Sequence, residues 1–278
     1  MIVQLQSSSK FDMSRKGTFG RAADVSAIIT GDAIVSCAGS MVFAHKRNAL
    51  PERVVDAATP GLRLLSSYTT DRRGTYAGEK GKTVRSAIVG AIGPMGGYFP
   101  FPRFAAFNLD HPEHLPAIHR LAEAVAEAYK KLAPRTFARL VKQSATVHED
   151  YRLGSSPFTT LTVNNTVAAA YHQDAGDLQG VLGVIVTLRG GYFEGFELLM
   201  PEYGTGVDMA HNSLILFDPH CWHANIPAKN AKGEENVDWW RLSLVFYVRT
   251  DLLGQPGQAE AVEVAKRRAK TEEVPDAD

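Results

Sequence analysis

The chain has 278 residues, 45% hydrophobic and 22% charged, enough apolar material for a sizeable core. Its 30 basic and 30 acidic side chains cancel, so any nucleic-acid contact must rest on local positive clusters. Two cysteines, Cys37 and Cys221, exclude a disulfide framework, and no apolar run approaches the roughly 20 residues that span a bilayer.

MIVQLQSSSK at the start lacks the charged-then-apolar order of a signal peptide, so a cytoplasmic or other intracellular, non-secreted setting is expected, with no membrane and no obligate protein partner in view. Residues 1–24 read as an irregular arm with few apolar anchors, basic between Lys10 and Arg21. Residues 26–46 predict two or three short strands broken by Gly31, Asp32 and Gly39. LPERVVDAATPGLRLLSSY predicts a short helix ending before Pro60, because the residue ahead of a proline avoids the helical region. Residues 69–82 are Gly-rich and charged, an exposed loop by composition. GPMGGYFPFPRF follows as an aromatic, Pro-rich turn region whose rings are expected in the core.

The strongest helical pattern covers residues 111–133. Leu115, Ile118, Ala122, Val125, Tyr129 and Leu132 recur at three- and four-residue steps, with Asp110 placed to cap, Pro112 early and Glu113 at the capping-box position. His114 and His119 fall off that stripe and read as surface residues. A second helix begins at Pro134, and the pair is expected to pack outside a sheet. TTLTVNNTVAAA and GVLGVIVTLRG read as strands, GYFEGFELLMPEYGTGVDM as a hairpin turning at Gly195 and Gly204, and SLILFD and RLSLVFYV as further strands. AEAVEVAKRRAK predicts a short helix before a frayed end. One domain is expected over residues 1–255, with residues 256–278 as a tail.

The chemistry gathers late in the chain. His172 and Asp174 are two residues apart, and i and i+2 of an extended segment point the same way, so both can reach one metal. FDPHCWHANIP supplies two candidates for a third ligand, His220 and His223, just beyond a buried strand. His-x-Asp followed by a distant His is the sequence form of the 2-His-1-carboxylate facial triad, which holds non-haem Fe(II) and leaves positions open for substrate and O2. Arg241 opens an apolar strand, where a guanidinium can take the distal carboxylate of a dicarboxylic keto acid in a bidentate pair. Arg249, eight residues on, could also face inward, and Arg189 reads as structural. His211 is expected at the surface, and Cys221 turned away from the metal. An isolated His-x-Asp recurs by chance; His172 at a strand end and His223 in a core are its bland alternatives.

YHQDAGDLQG, FEGFELLMPEYGTGVD and FDPHCWHANIP followed by RLSLVFYVR resemble the TET and J-binding-protein dioxygenases, which oxidise the methyl group of a pyrimidine base in DNA. RSAIVG and PRFAAFNLDHPE add to the likeness, which covers roughly residues 85–250; residues 1–84 are then an N-terminal elaboration. The resemblance implies an α+β fold with a double-stranded β-helix (jelly-roll) core and helices outside. It implies Fe(II) on His172, Asp174 and His223, with His223 preferred over His220 because HANIP matches the ligand segment, and 2-oxoglutarate on Arg241. Asp177 falls where the family places a polar residue against the base edge, although DAGD also suits a turn. Asn225, in the same matched segment, is a substrate-side candidate. The basic stretch from Asp71 to Arg85, with Arg72, Arg73 and Arg85, is either a phosphate-tracking loop or a solvated one.

The activity so implied is hydroxylation of 5-methylcytosine in DNA to 5-hydroxymethylcytosine, with the target nucleotide flipped out of the duplex. An acidic Asp177 would accept from cytosine's exocyclic amine, where thymine offers a carbonyl. Thymine hydroxylation in DNA is the nearest rival. A protein or small-molecule hydroxylase and a non-catalytic jelly-roll binding module are the others.

Overall fold

The computed structural model describes residues 1–5, 7–68, 86–95, 99–174, 178–229 and 239–272. Arg72, Arg73, Arg85 and Asp177, and with them the basic loop, lie outside the described residues.

Short β-rich runs bounded by Gly, Asp and Pro become the strands β1 (Ile2–Leu5), β2 (Ala27–Ile29), β3 (Ala33–Cys37), β4 (Ser40–Lys46), β5 (Ser86–Ile92) and β6 (Arg103–Phe104). The second half adds β7 (Thr160–Asn165), β8 (Gly183–Gly190), β9 (Leu198–Met200), β10 (Thr205–Val207), β11 (Ser213–Phe217), β12 (Ala224–Asn225) and β13 (Trp240–Tyr247). The helices are α1 (Glu52–Leu65), α2 (Ala106–Asp110), α3 (Leu115–Leu132), α4 (Pro134–Gln143) and α5 (Gln258–Glu272). No described helix is long and apolar enough to cross a membrane.

The strands form a nine-stranded sheet, in the order β1-β3-β4-β11-β8-β13-β7-β5-β6, and a four-stranded one, β12-β9-β10-β2. Strand alternation gives the large sheet two working faces. Leu214 and Leu216 of β11, Leu242 and Leu244 of β13 and Val184 and Val186 of β8 point to one side, where Leu62, Ile118, Val125 and Leu140 of α1, α3 and α4 cover them. Ile215 and Phe217 of β11 point to the other and meet Leu198, Met200 and Val207 of the small sheet. Each such fully buried Leu or Ile contributes about 2 kcal/mol. Two facing sheets with helices on the outer side are the expected α+β double-stranded β-helix.

Gly90 marks a close strand contact. Its φ is +111°, and a Cβ there would lie 2.2 Å from the Thr159 carbonyl oxygen, so β5 can close on β7 only with glycine. Gly204, left-handed at φ +58°, closes the β9–β10 hairpin. Gly195 lies ahead of that hairpin rather than in its turn.

Four further expectations need correction. The arm is not irregular throughout: β1 pairs parallel to β3. Helix α1 runs through Pro60, because Val55, Ala58, Leu62 and Leu65 bury one face and outweigh the hydrogen bond that proline cannot donate. Asp110 does not cap α3: it ends α2 and accepts from the Tyr68 hydroxyl at 3.2 Å, while a 3₁₀ turn, Pro112–His114, leads into α3. Of the GPMGGYFPFPRF aromatics, Phe104 packs on the core, but Phe99 stands at the surface.

Candidate active site

His172 follows β7 and His223 immediately precedes β12. The two residues exchange backbone hydrogen bonds, N–H to O, at 3.1 Å in each direction, an antiparallel bridge that sets their side chains together. The Asp174 N–H donates to the Pro219 carbonyl at 2.9 Å, tying the second ligand segment to the same turn. His172 Nε2 lies 3.5 Å from Asp174 Oδ1, and His223 Nε2 lies 3.7 Å from Asp174 Oδ2. The ligand atoms of all three residues fall within 4.8 Å of one another.

Both imidazoles are oriented from behind. His172 Nδ1 donates to the Ala170 carbonyl at 2.7 Å, and His223 Nδ1 to the Cys221 carbonyl at 2.9 Å. With the proton held on Nδ1, each Nε2 offers its lone pair forward. Burial first, and His172 beside it second, push the His223 imidazole well below its usual range, so it stays neutral and able to ligate. An octahedral ion with bonds of about 2.1 Å needs neighbouring ligand atoms roughly 3 Å apart. Two imidazole nitrogens and one carboxyl oxygen at these separations fit Fe(II) with small adjustment.

These groups line a cavity of about 410 Å³ between the two sheets. β13 forms one wall: Arg241, Ser243, Val245 and Tyr247 alternate into the cavity, while Leu242, Leu244 and Phe246 face the helices. Arg241 is 3% exposed, and its Nε and Nη1 have no hydrogen-bond partner among the described residues. Its guanidinium lies 4.8 Å from the centre of the Phe196 ring. Burial, then Arg189, lowers its pKa to about 10 against the pull of Glu197, which leaves it a cation at neutral pH. A buried guanidinium with unused donors is a receptor for a carboxylate. That is the requirement of 2-oxoglutarate's far end.

A family model described as the oxygenase domain of the 2OGFeDO superfamily, Tet_JBP, matches residues 100–250. The chain belongs to this TET/JBP oxygenase family. Fe(II) and 2-oxoglutarate are therefore its cofactor and co-substrate. The thymine dioxygenase JBP1 of Crithidia fasciculata is 30% identical over 226 residues, 78% of this chain and 26% of that protein. The protein of the same name from Trypanosoma brucei brucei is 34% identical over 199 residues, 68% of this chain and 22% of its own. The chain thus spans about a quarter of the length of the curated relatives it matches. Among solved structures, NgTET1 in complex with 5mC DNA gives a TM-score of 0.57 at 15% identity, over 85% of this chain and 84% of that one. An oxidoreductase of the 2OG-Fe(II) oxygenase family from Burkholderia pseudomallei gives 0.50 at 12%, over 77% and 88%. At such identities the likeness is one of fold, the double-stranded β-helix.

The remaining candidates find other uses in this TET/JBP domain. His220 turns away from the bridge: Nδ1 meets Asp218 Oδ1 at 3.1 Å and Nε2 meets the Gln179 amide at 2.9 Å. Cys221 is buried between the sheets, its thiol pushed up by burial. The turn ahead of it, at residues 219–221, takes the thiol inward. Asn225, a substrate-side candidate, spends its amide on backbone. Oδ1 accepts from the Ala169 N–H at 3.2 Å and Nδ2 donates to the Phe196 carbonyl at 3.3 Å, so it pins the segment ahead of His172 to the small sheet. Arg249 does reach the cavity, in a bidentate pair with Asp251 at 3.0 and 2.6 Å. Arg189 pairs with Asp208 at 3.6 Å. His211 is half-buried, its Nδ1 accepting from the Arg189 N–H at 3.1 Å.

The sequence does not announce the clamp behind the ligands. Phe11 stacks on Trp222 at 4.4 Å and tilts against Tyr171 at 5.1 Å, so one ring of the arm presses on the residues preceding both histidines. Gly17 and Thr18 exchange backbone hydrogen bonds with Tyr171, and the Gly20 N–H donates to the Asn225 carbonyl. Arg15 holds Asp24 through two hydrogen bonds of 2.7 and 2.8 Å, and the Tyr171 hydroxyl donates to the same carboxylate. Glu202 Oε2 accepts from the Trp222 N–H at 2.8 Å. The one signal available was an aromatic residue within KFDMSRK, which reads as charge.

Proposed function

We propose that the protein hydroxylates the C5 methyl group of a pyrimidine in DNA, with 5-methylcytosine the lead substrate and 5-hydroxymethylcytosine its product. The observation that carries this reading is the meeting, in one cavity, of the His172–Asp174–His223 donor set and the unpartnered Arg241. In a family whose solved and curated relatives are named for 5mC DNA and for thymine, that cavity supports a base-oxidising role.

His172 Nε2, His223 Nε2 and one Asp174 oxygen would hold the metal, each imidazole keeping its Nδ1 proton on a backbone carbonyl. Arg241 would bind the far carboxylate of 2-oxoglutarate through Nε and Nη1. When bound, iron and keto acid supply the oxidising power: O2 is consumed, one oxygen atom entering succinate as CO2 leaves and the other becoming the hydroxyl of the product. Ile185, Leu198, Met209 and Val245 make the cavity wall apolar and keep water from that chemistry. A base of the duplex reaches the cavity only when extruded from the stack.

A second reading has its own support. The relatives sharing 30% and 34% identity are both named thymine dioxygenase, whereas the 5mC-bound structure shares 15%. The deciding experiment is incubation with methylated duplex DNA, Fe(II), ascorbate and 2-oxoglutarate, followed by mass spectrometry of the nucleosides. 5-Hydroxymethylcytosine is the expected product. 5-Hydroxymethyluracil would move the assignment to thymine, and neither product would end the DNA reading.

A further inference from the structure

Exposure rises along β13 and past its end. Arg241 is 3% exposed, whereas the Arg249 and Asp251 side chains are 24% and 36% exposed and Thr250 is at the surface. The cavity is therefore closed at Arg241 and open at residues 249–251. On that rim, Gly93 lies against Asp251, so closely that a Cβ would sit 2.2 Å from the carboxylate carbon. Two residues on, Met95 and Phe99 exchange backbone hydrogen bonds at 2.7 and 2.8 Å, and the chain returns through Phe101 to Arg103, which pairs with Ile92.

This bridge exposes what a surface ordinarily hides. Met95 and Phe99 are 51% and 44% exposed, and Phe101 buttresses Phe99 edge-to-face at 6.4 Å. The Arg103 guanidinium lies 4.4 Å from the centre of the Phe99 ring, and its Nη2 reaches Met95 Sδ at 3.2 Å. Its Nη1 has no hydrogen-bond partner among the described residues. An apolar pair held by backbone bonds, with a cation beside it, thus stands two residues beyond the glycine that packs on the cavity rim.

We propose that Met95 and Phe99, backed by Arg103, form a wedge that enters the base stack of duplex DNA beside the nucleotide being turned into the cavity. This rests on the reading of the substrate as a base in DNA. Extrusion forfeits stacking on both neighbours of the target, and proteins that open or kink a duplex fill such a gap with Phe or Met. A phenyl ring stacks on any base, so the wedge carries no sequence preference. The adjoining guanidinium, on the Phe99 ring and the Met95 sulfur, holds the pair in place from behind.

The test compares wild type with Phe99→Ala, Met95→Ala and Phe99→Trp on one 5-methylcytosine oligonucleotide, as a duplex and as a single strand, with both hydroxymethylated nucleosides quantified. On the duplex, Phe99→Ala is expected to lower kcat/KM about tenfold or more and Met95→Ala less, while Phe99→Trp keeps activity. On the single strand, where no stack must be opened, all should lie within about twofold of wild type. Loss of equal size on both substrates, or no loss on either, overturns the wedge. A 2-aminopurine beside the target reads unstacking without turnover. Brightening by wild type that Phe99→Ala abolishes supports the wedge even if no product forms, in which case only the substrate reading has failed. Brightening alike in both proteins, or in neither, sinks it.

Discussion

Arg241 is a cation kept from water with its Nε and Nη1 unspent, an arrangement that costs stability until an anion arrives. Arg241→Met keeps the stem and removes the charge. Without 2-oxoglutarate the variant is expected to melt roughly 2–4 °C above wild type, and the rise in melting temperature that 2-oxoglutarate gives the wild type should vanish. Thermal unfolding with and without the keto acid checks both halves; a variant still stabilised by 2-oxoglutarate would remove Arg241 from the site. Asp24 shows the opposite economy. Burial alone would raise its pKa, but hydrogen bonds from Arg15, the Arg21 N–H and Tyr171 hold it at about 2. A lowered folded pKa means stability present in full above the unfolded value of 3.8 and lost as the pH falls through about 2. Asp24→Asn should therefore cost about 2 kcal/mol at neutral pH, and the gap between the two proteins in urea melts should narrow below about pH 3. A gap independent of pH would assign that stability to packing. The metal set was legible in the sequence because ligation ties residue type to spacing, as in His172 and Asp174. The backbone bonds of Asn225 were not, since nothing in the sequence says which partner an amide will find.

At the scale of elements, α1 departs furthest from its sequence pattern. Pro60 lies mid-helix on the exposed side, where it removes one hydrogen bond and buries nothing. Pro60→Ala is expected to stabilise the protein by about 1–3 kcal/mol, less the entropy the freer unfolded chain regains. Urea denaturation measures it, and a loss of stability would show that α1 needs its proline to lie correctly on α3. Proline ends helices when local preference decides; here Leu62 and Leu65, on the far side of it, are fully buried and decide otherwise. The apolar face of α3 was legible from its three- and four-residue steps because burial imposes that period. Its start was not, because the cap-like Asp110 belongs to the short helix before it. The arm escaped for a related reason. Phe11 acts through Tyr171 and Trp222, far along the chain, and nothing local marks such a contact.

For the whole molecule, alternation told which residues face inward but not which strands are neighbours. β2 and β3 are separated by a short turn yet belong to different sheets, and β1 runs parallel to β3. The resemblance supplied the double-stranded β-helix; periodicity alone would not have. That architecture gives function its geography. The helix-covered face of the large sheet is sealed, the face toward the small sheet carries the cavity, and the two histidines meet where the segments after β7 and before β12 cross. A net charge of zero gives no overall pull on a polyanion, and the site's chemistry can be measured first without DNA. Titration of 2-oxoglutarate into the Mn(II)-loaded protein in the absence of oxygen does so most directly. One binding site is expected in wild type, none in Asp174→Ala, and affinity lower by about a hundredfold in Arg241→Met. Undiminished binding by both variants would contradict this expectation.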